Sequence, residues 1–133
     1  MASAVAERGH GSSGCRRVLL CDDMQQMRLL LRTEMSLEPD IEVVGEASNG
    51  AEAVRLARES QPDVVVLDLA MPVMDGLEAL PHIREVAPEA RVIMLSAHGA
   101  AEMGARAVAA GASRYIEKSA STKEIVEAVR GPG

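Results

Sequence analysis

Five residues carry the chemistry that this sequence offers: Asp22, Asp23, Asp68, Ser96 and Lys118. Each stands at the end of a short apolar run rich in β-branched residues. Taken singly they are unremarkable, since Asp and Ser after a strand commonly cap the next helix and Lys is an ordinary surface charge. As a set they are not explained by capping. Three carboxylates gathered at one place repel one another unless a cation lies among them. Carboxylates, a backbone carbonyl and water suit Mg²⁺, or Mn²⁺ in its place. A carboxylate can also act as a nucleophile toward phosphorus and become an aspartyl phosphate. A lysine and a hydroxyl would then contact the phosphoryl oxygens, and phosphoryl transfer asks for little beyond positioning and charge neutralisation.

The elements that must gather these residues follow from periodicity. Runs at 16–21, 41–46, 63–67, 91–95 and 113–116 predict five strands, and the segments between them have helical spacing. Met24, Met27, Leu30, Leu31 and Met35 form one stripe expected to face the core; Ala53, Val54 and Ala57 form a second, and Ile125, Val126 and Val129 a third. Alternating strands and helices predict an α/β fold with a doubly wound parallel sheet covered on both faces. Val64, Val65, Val66 and Leu67 read as a strand buried on both sides. In such a sheet the carboxyl ends of the strands share one edge, where ligands bind. Asp22, Asp23, Asp68, Ser96 and Lys118 all fall on that edge. Pro81 lies inside the helical segment 77–85, where it removes a donor and crowds the preceding turn, so a kink or a late helix start is expected.

Composition bounds the rest. A chain of 133 residues suits one domain, and with no Phe or Trp, one Tyr and eight Met its core is aliphatic. A net charge of −6 argues against direct nucleic-acid binding and against an anionic membrane surface. Apolar runs stop at four residues, too short for a membrane span or a secretory leader, so a cytoplasmic protein is expected. Cys15 and Cys21 fit neither a zinc site nor a disulfide framework, and Cys21 reads as a buried small hydrophobe. His10, His82 and His98 are isolated and read as surface residues. Residues 1–15 lack periodicity and are expected to form a disordered tail, leaving 16–130 as the domain. No output domain such as a helix-turn-helix is expected within these 133 residues.

Four stretches, VLLCDD (18–23), VVVLDLAMPVMDG (64–76), IMLSA (93–97) and GASRYIEK (111–118), resemble the response regulator receiver domain of two-component signalling. The stretch 39–54, PDIEVVGEASNGAEAV, is most similar to receivers that precede a LuxR-type DNA-binding domain. The resemblance implies a flavodoxin-like sheet of order 2-1-3-4-5 with five helices. It implies that Asp68 accepts a phosphoryl group from a histidine kinase, and that Asp22, Asp23, Asp68 and the carbonyl of Ala70 hold Mg²⁺. By it Ser96 is the switch hydroxyl, Lys118 the family's lysine, and Tyr115 the aromatic whose rotamer follows phosphorylation. The implied partners are a histidine kinase and a downstream effector or a DNA-binding segment of a longer parent, in transcription regulation, with homodimerisation left open. Enzymatic turnover is not implied beyond self-phosphorylation and self-dephosphorylation.

Two departures stand out. Many receivers have Pro after the lysine and a cis peptide there; here Ser119 follows, and a non-proline cis bond costs about 3 kcal/mol. Ala70 and His98 occupy positions that in the family influence hydrolysis of the phosphoryl group, and Ala70 has no side chain to orient water. Two rivals remain. A phosphatase of the haloacid dehalogenase type needs a second Asp two positions after its nucleophile, where this chain has Ala70. A pseudo-receiver would keep the fold and act without phosphorylation. A glycine-rich nucleotide-binding turn is absent, since CDDM follows the first strand.

Overall fold

The β-branched runs form five strands, and the segments between and after them form five helices. In chain order these are β1 (Arg16–Cys21), α1 (Gln25–Ser36), β2 (Ile41–Ala47), α2 (Gly50–Ser60), β3 (Val64–Asp68), α3 (Gly76–Val86), β4 (Arg91–Ser96), α4 (Ala101–Ala109), β5 (Arg114–Glu117) and α5 (Thr122–Arg130). This computed structural model describes residues 15–97 and 101–131. The expected tail, Cys15 apart, lies outside the described residues, as do His10 and His98.

All strand pairs are parallel, in the order β2-β1-β3-β4-β5, as expected. Alternate side chains enter opposite layers, the two-residue period of a strand. Leu19, Cys21, Val65, Leu67, Val92 and Met94 pack with Ala53 and Ala57 of α2, Ala79, Leu80 and Ile83 of α3, and Ala107 of α4. Val18, Leu20, Val64, Val66, Ile93 and Leu95 pack with Leu31 and Met35 of α1 and with Ile125, Val126 and Val129 of α5. Cys21 is buried, which raises its thiol pKa and suits its reading as a small hydrophobe. His82 is exposed.

The structure corrects three expectations. In α1 only Leu31 and Met35 of the proposed stripe are buried; Met27 is half-buried, while Met24 and Leu30 are 53% and 46% exposed. Met24 precedes the helix as its N-cap, and α5 shares this layer, so the face of α1 reaching the sheet is narrow. Secondly, of the two alternatives expected at Pro81, the late start is excluded. Helix α3 begins at Gly76 and runs through Pro81 to Val86, because Asp75 and Glu78 form a reciprocal capping box at its first turn. Thirdly, Asp68 and Ser96 are the last residues of their strands rather than the residues after them, which fixes their backbones in the ladder.

Between β3 and α3 the chain makes a tight turn in which Met74 N–H donates to Pro72 O at 2.7 Å and Val73 takes a φ of +71°. A β-branched residue is strained there, and Val73 is 81% exposed, so its side chain gains little from packing. Val73→Gly is therefore expected to stabilise the domain by about 1 kcal/mol, net of the added freedom of the unfolded chain. A higher urea midpoint at unchanged slope would show it; a lower midpoint would contradict it.

Candidate functional site

Asp22 and Asp23 follow β1, Asp68 closes β3, Ser96 closes β4 and Lys118 follows β5, so sheet order alone brings residues up to 96 positions apart to one edge. Backbone bonds tie that edge together: Leu69 N–H donates to Leu95 O at 2.8 Å, and Lys118 N–H to Ser96 O at 2.6 Å. Among the described residues, Asp22, Asp68 and Ser96 are the buried polar or charged ones. Burial of carboxylates is costly unless they are paired.

The pairing is made by Lys118. Its Nζ lies 2.9 Å from Asp22 Oδ2 and 3.1 Å from Asp68 Oδ2. These are electrostatic contacts rather than well-directed hydrogen bonds, because neither buried oxygen has a partner of hydrogen-bond geometry. Asp22 Oδ1 accepts from Met24 N–H at 2.8 Å, and Asp68 Oδ1 from Ala70 N–H at 3.4 Å. Asp22, Asp23 and Asp68 each contribute one oxygen to a group spanning no more than 4.8 Å, with Asp23 exposed. One lysine faces three carboxylates. Two inward oxygens that lack directed donors, beside an exposed third carboxylate, fit a hard cation that takes few carboxylates and completes its shell with water.

The titration behaviour follows from this crowding. Burial, then the neighbouring Asp22, pushes the Asp68 carboxyl up to about 6 against the opposing pull of Lys118 and the Ala70 N–H. Burial alone would lower the Lys118 pKa, but the two carboxylates outweigh it and raise it.

Tyr115 is not at the acidic cluster. It pairs with Met94 across the β4–β5 ladder, and its ring covers Gly104 of α4, where an added Cβ would lie 3.0 Å from Cδ2. The Lys118–Ser119 peptide is trans, as no cis bond occurs among the described residues. Ala70 is exposed at the rim of an open groove of about 620 Å³, which also touches Asp23, Leu69, Pro72, Leu77 and Arg106. Sequence reasoning missed Arg28. Its Nη1 donates to Asp22 O at 2.6 Å while Nε meets Glu46 at 3.1 Å, bracing the first acidic loop from α1. Nothing in the local pattern distinguishes this arginine from the other polar residues of α1.

The family profile of the response regulator receiver domain matches residues 18–130. The chain belongs to the response regulator receiver family. This receiver is 40% identical over 114 residues to the response regulator protein VraR of Staphylococcus aureus, covering 86% of this chain and 54% of that protein. It thus spans about half the length of the curated relatives it matches. Among solved structures, the response regulator domain of Thermotoga maritima CheB superposes with a TM-score of 0.79 at 38% identity, covering 87% of this chain and 94% of that one. A LuxR-family two-component response regulator from Aurantimonas gives 0.81 at 38%, covering 86% and 82%. The CheX–CheY complex with BeF₃ and Mg²⁺ from Borrelia burgdorferi gives 0.81 at 30%, covering 90% and 91%. No helix among the described residues is long and apolar enough to cross a membrane.

Proposed function

We propose that Asp68 accepts a phosphoryl group in a Mg²⁺-dependent reaction and that the receiver signals by the rearrangement this causes. The observation carrying this reading is the Lys118 ammonium beside Asp22 and Asp68, with Asp23 completing the acidic group. Asp22, Asp23, Asp68 and the Ala70 carbonyl would hold the ion, which supplies charge neutralisation at the phosphoryl oxygens. An Asp68 carboxylate oxygen forms the new bond to phosphorus. The bond from phosphorus to the donor, a histidine kinase or a small acyl phosphate, breaks, and its electron pair leaves with the donor. Lys118 then exchanges carboxylate for phosphoryl oxygen, and Ser96, at the next strand end, offers a hydroxyl. Two or three charge-assisted contacts at about 1.5–3 kcal/mol each reach the roughly 5.5 kcal/mol that inverts a two-state population; one neutral hydrogen bond does not. Tyr115, on β5 with its ring against Gly104 of α4, is the side chain through which a shift at Ser96 would reach the α4–β5–α5 face.

The histidine kinase donor, an effector or DNA-binding segment of a longer parent, a cytoplasmic setting and the absence of turnover on other substrates belong to this same reading. Incubation with Mg²⁺ and a small acyl phosphate tests it. One phosphoryl mass increment is expected in the native chain and none in Asp68→Asn or with the metal chelated; an increment that survives Asp68→Asn refutes it.

Two outcomes follow. Because the Asp68 carboxyl holds its proton up to about pH 6 in the metal-free domain, Mg²⁺ must displace that proton below it. Affinity should rise with pH and level off above 6, with a roughly tenfold weaker dissociation constant at pH 5 than at pH 7.5 by calorimetric titration. A flat profile would contradict the assignment. Ala70→Asn supplies an amide able to orient water and should shorten the phosphorylated lifetime several-fold; an unchanged or longer lifetime would count against slow self-dephosphorylation through Ala70.

A further inference from the structure

The loop that carries Ala70 is gripped by two glycines, and only one of them lies in the motifs that surround the acidic residues. Gly76 packs on the phosphoacceptor itself: an added Cβ would stand 2.2 Å from the carbonyl oxygen of Asp68. Gly50 packs on the same loop from the other side, with an added Cβ 2.1 Å from the carbonyl oxygen of Met74 and 2.8 Å from its carbonyl carbon. Such approaches to backbone cannot be relieved by turning a side chain. Gly50 is buried and is not among the positive-φ glycines, so what the position requires is room rather than a left-handed backbone. It is the first residue of α2, whose turn is fixed by Asn49, the side chain accepting from Glu52 N–H at 2.8 Å. Between the two grips lies Val73 at φ +71°, and a strained residue persists only where its surroundings over-determine it.

We infer that Gly50 is a positioning residue for the metal site: by admitting the Met74 carbonyl against the first turn of α2, it holds the 69–75 loop, and with it the Ala70 carbonyl, beside Asp68. The inference rests on the metal-binding reading above. It makes α2, which contributes no residue to the acidic cluster, part of the support of the ion. Gly50→Ala must push the loop, whereas a destabilising change elsewhere in α2 need not.

The test is a Mg²⁺ titration of the isotopically labelled chain, followed through its amide signals, with hydrogen exchange of the Gly76 amide in the metal-free protein as a second readout. That amide donates to Leu69 O at 2.7 Å and reports loop closure without metal. Gly50→Ala is expected to weaken Mg²⁺ roughly tenfold, as loss of an outer support typically does, and to speed exchange at Gly76. Asn49→Ala, which loosens the same turn more gently, should weaken Mg²⁺ roughly threefold. Ala57→Gly lowers the stability of α2 from its middle and should leave the dissociation constant unchanged. A folded Gly50→Ala with native affinity overturns the inference. Should Gly50→Ala not fold, an affinity for Asn49→Ala equal to that of Ala57→Gly overturns it. In both cases normal binding by the native chain leaves the metal reading standing, whereas a native chain that binds no Mg²⁺ removes that reading and this inference together.

Discussion

Lys118→Ala will abolish Mg²⁺-dependent phosphorylation from a small acyl phosphate and will destabilise the metal-free domain by about 2–3 kcal/mol at pH 7. The first effect follows from losing the only lysine, among the described residues, that contacts the cluster, at 2.9 and 3.1 Å from Asp22 and Asp68. The second follows from leaving two carboxylates with 2% exposure uncompensated. Breaking a buried pair from one side typically costs about 3–5 kcal/mol, and the partial solvation of Lys118 places the loss below that range. The sign of its pH dependence is fixed. In the folded chain the Asp68 carboxyl already binds its proton up to about 6, against an ordinary value of 3.8. Without Lys118 that value rises further, so the protonated form carries the stability and ionisation removes it. The deficit of Lys118→Ala should therefore be large at pH 7 and shrink as pH falls toward 4. Denaturant melts at the two pH values check this. A deficit that grows in acid would show that the ammonium does not compensate these carboxylates.

Asp23→Asn should separate metal binding from folding. Asp23 is exposed and supplies one of the three clustered oxygens, whereas Asp22 and Asp68 are buried and paired. Losing one of a few carboxylates from a hard-cation site should weaken Mg²⁺ on the order of a hundredfold and suppress phosphorylation with it. An exposed substitution away from special packing should change stability by no more than about 0.5 kcal/mol. Calorimetric titration beside a urea melt measures both. Native Mg²⁺ affinity in Asp23→Asn would remove this residue from the site, and a large loss of stability would mean that its carboxylate has a structural role instead.

The sheet and its acidic edge were legible in the sequence because both are written locally. Four consecutive apolar residues at 64–67 announce a strand covered on both sides, and strand-end carboxylates become neighbours through parallel topology alone. What escaped was set mostly by contacts between distant segments, the local capping box at Asp75 and Glu78 being the exception. Met24 and Leu30 carry the spacing of a core stripe, yet α5 occupies the same layer and limits α1 to Leu31 and Met35. Pro81 looks like a helix breaker, but the cap at Asp75 starts the helix well before it. Arg28 reaches the Asp22 carbonyl six residues back while holding Glu46 of β2, and Gly50 meets the Met74 carbonyl; no hydrophobic period encodes either contact. The strain at Val73 is likewise invisible in residue types, since valine is a poor choice for a positive φ and only the surrounding loop imposes it.

Phosphoryl acceptance at Asp68 depends on one divalent ion held among Asp22, Asp23 and Asp68. Crystals of the native chain grown with Mn²⁺ and measured at a wavelength where manganese scatters anomalously give the most direct view of it. A single strong anomalous peak in contact with the Asp23 and Asp68 carboxylates and the Ala70 carbonyl is expected. No peak there, or manganese bound elsewhere while Lys118 still bridges Asp22 and Asp68, would contradict it.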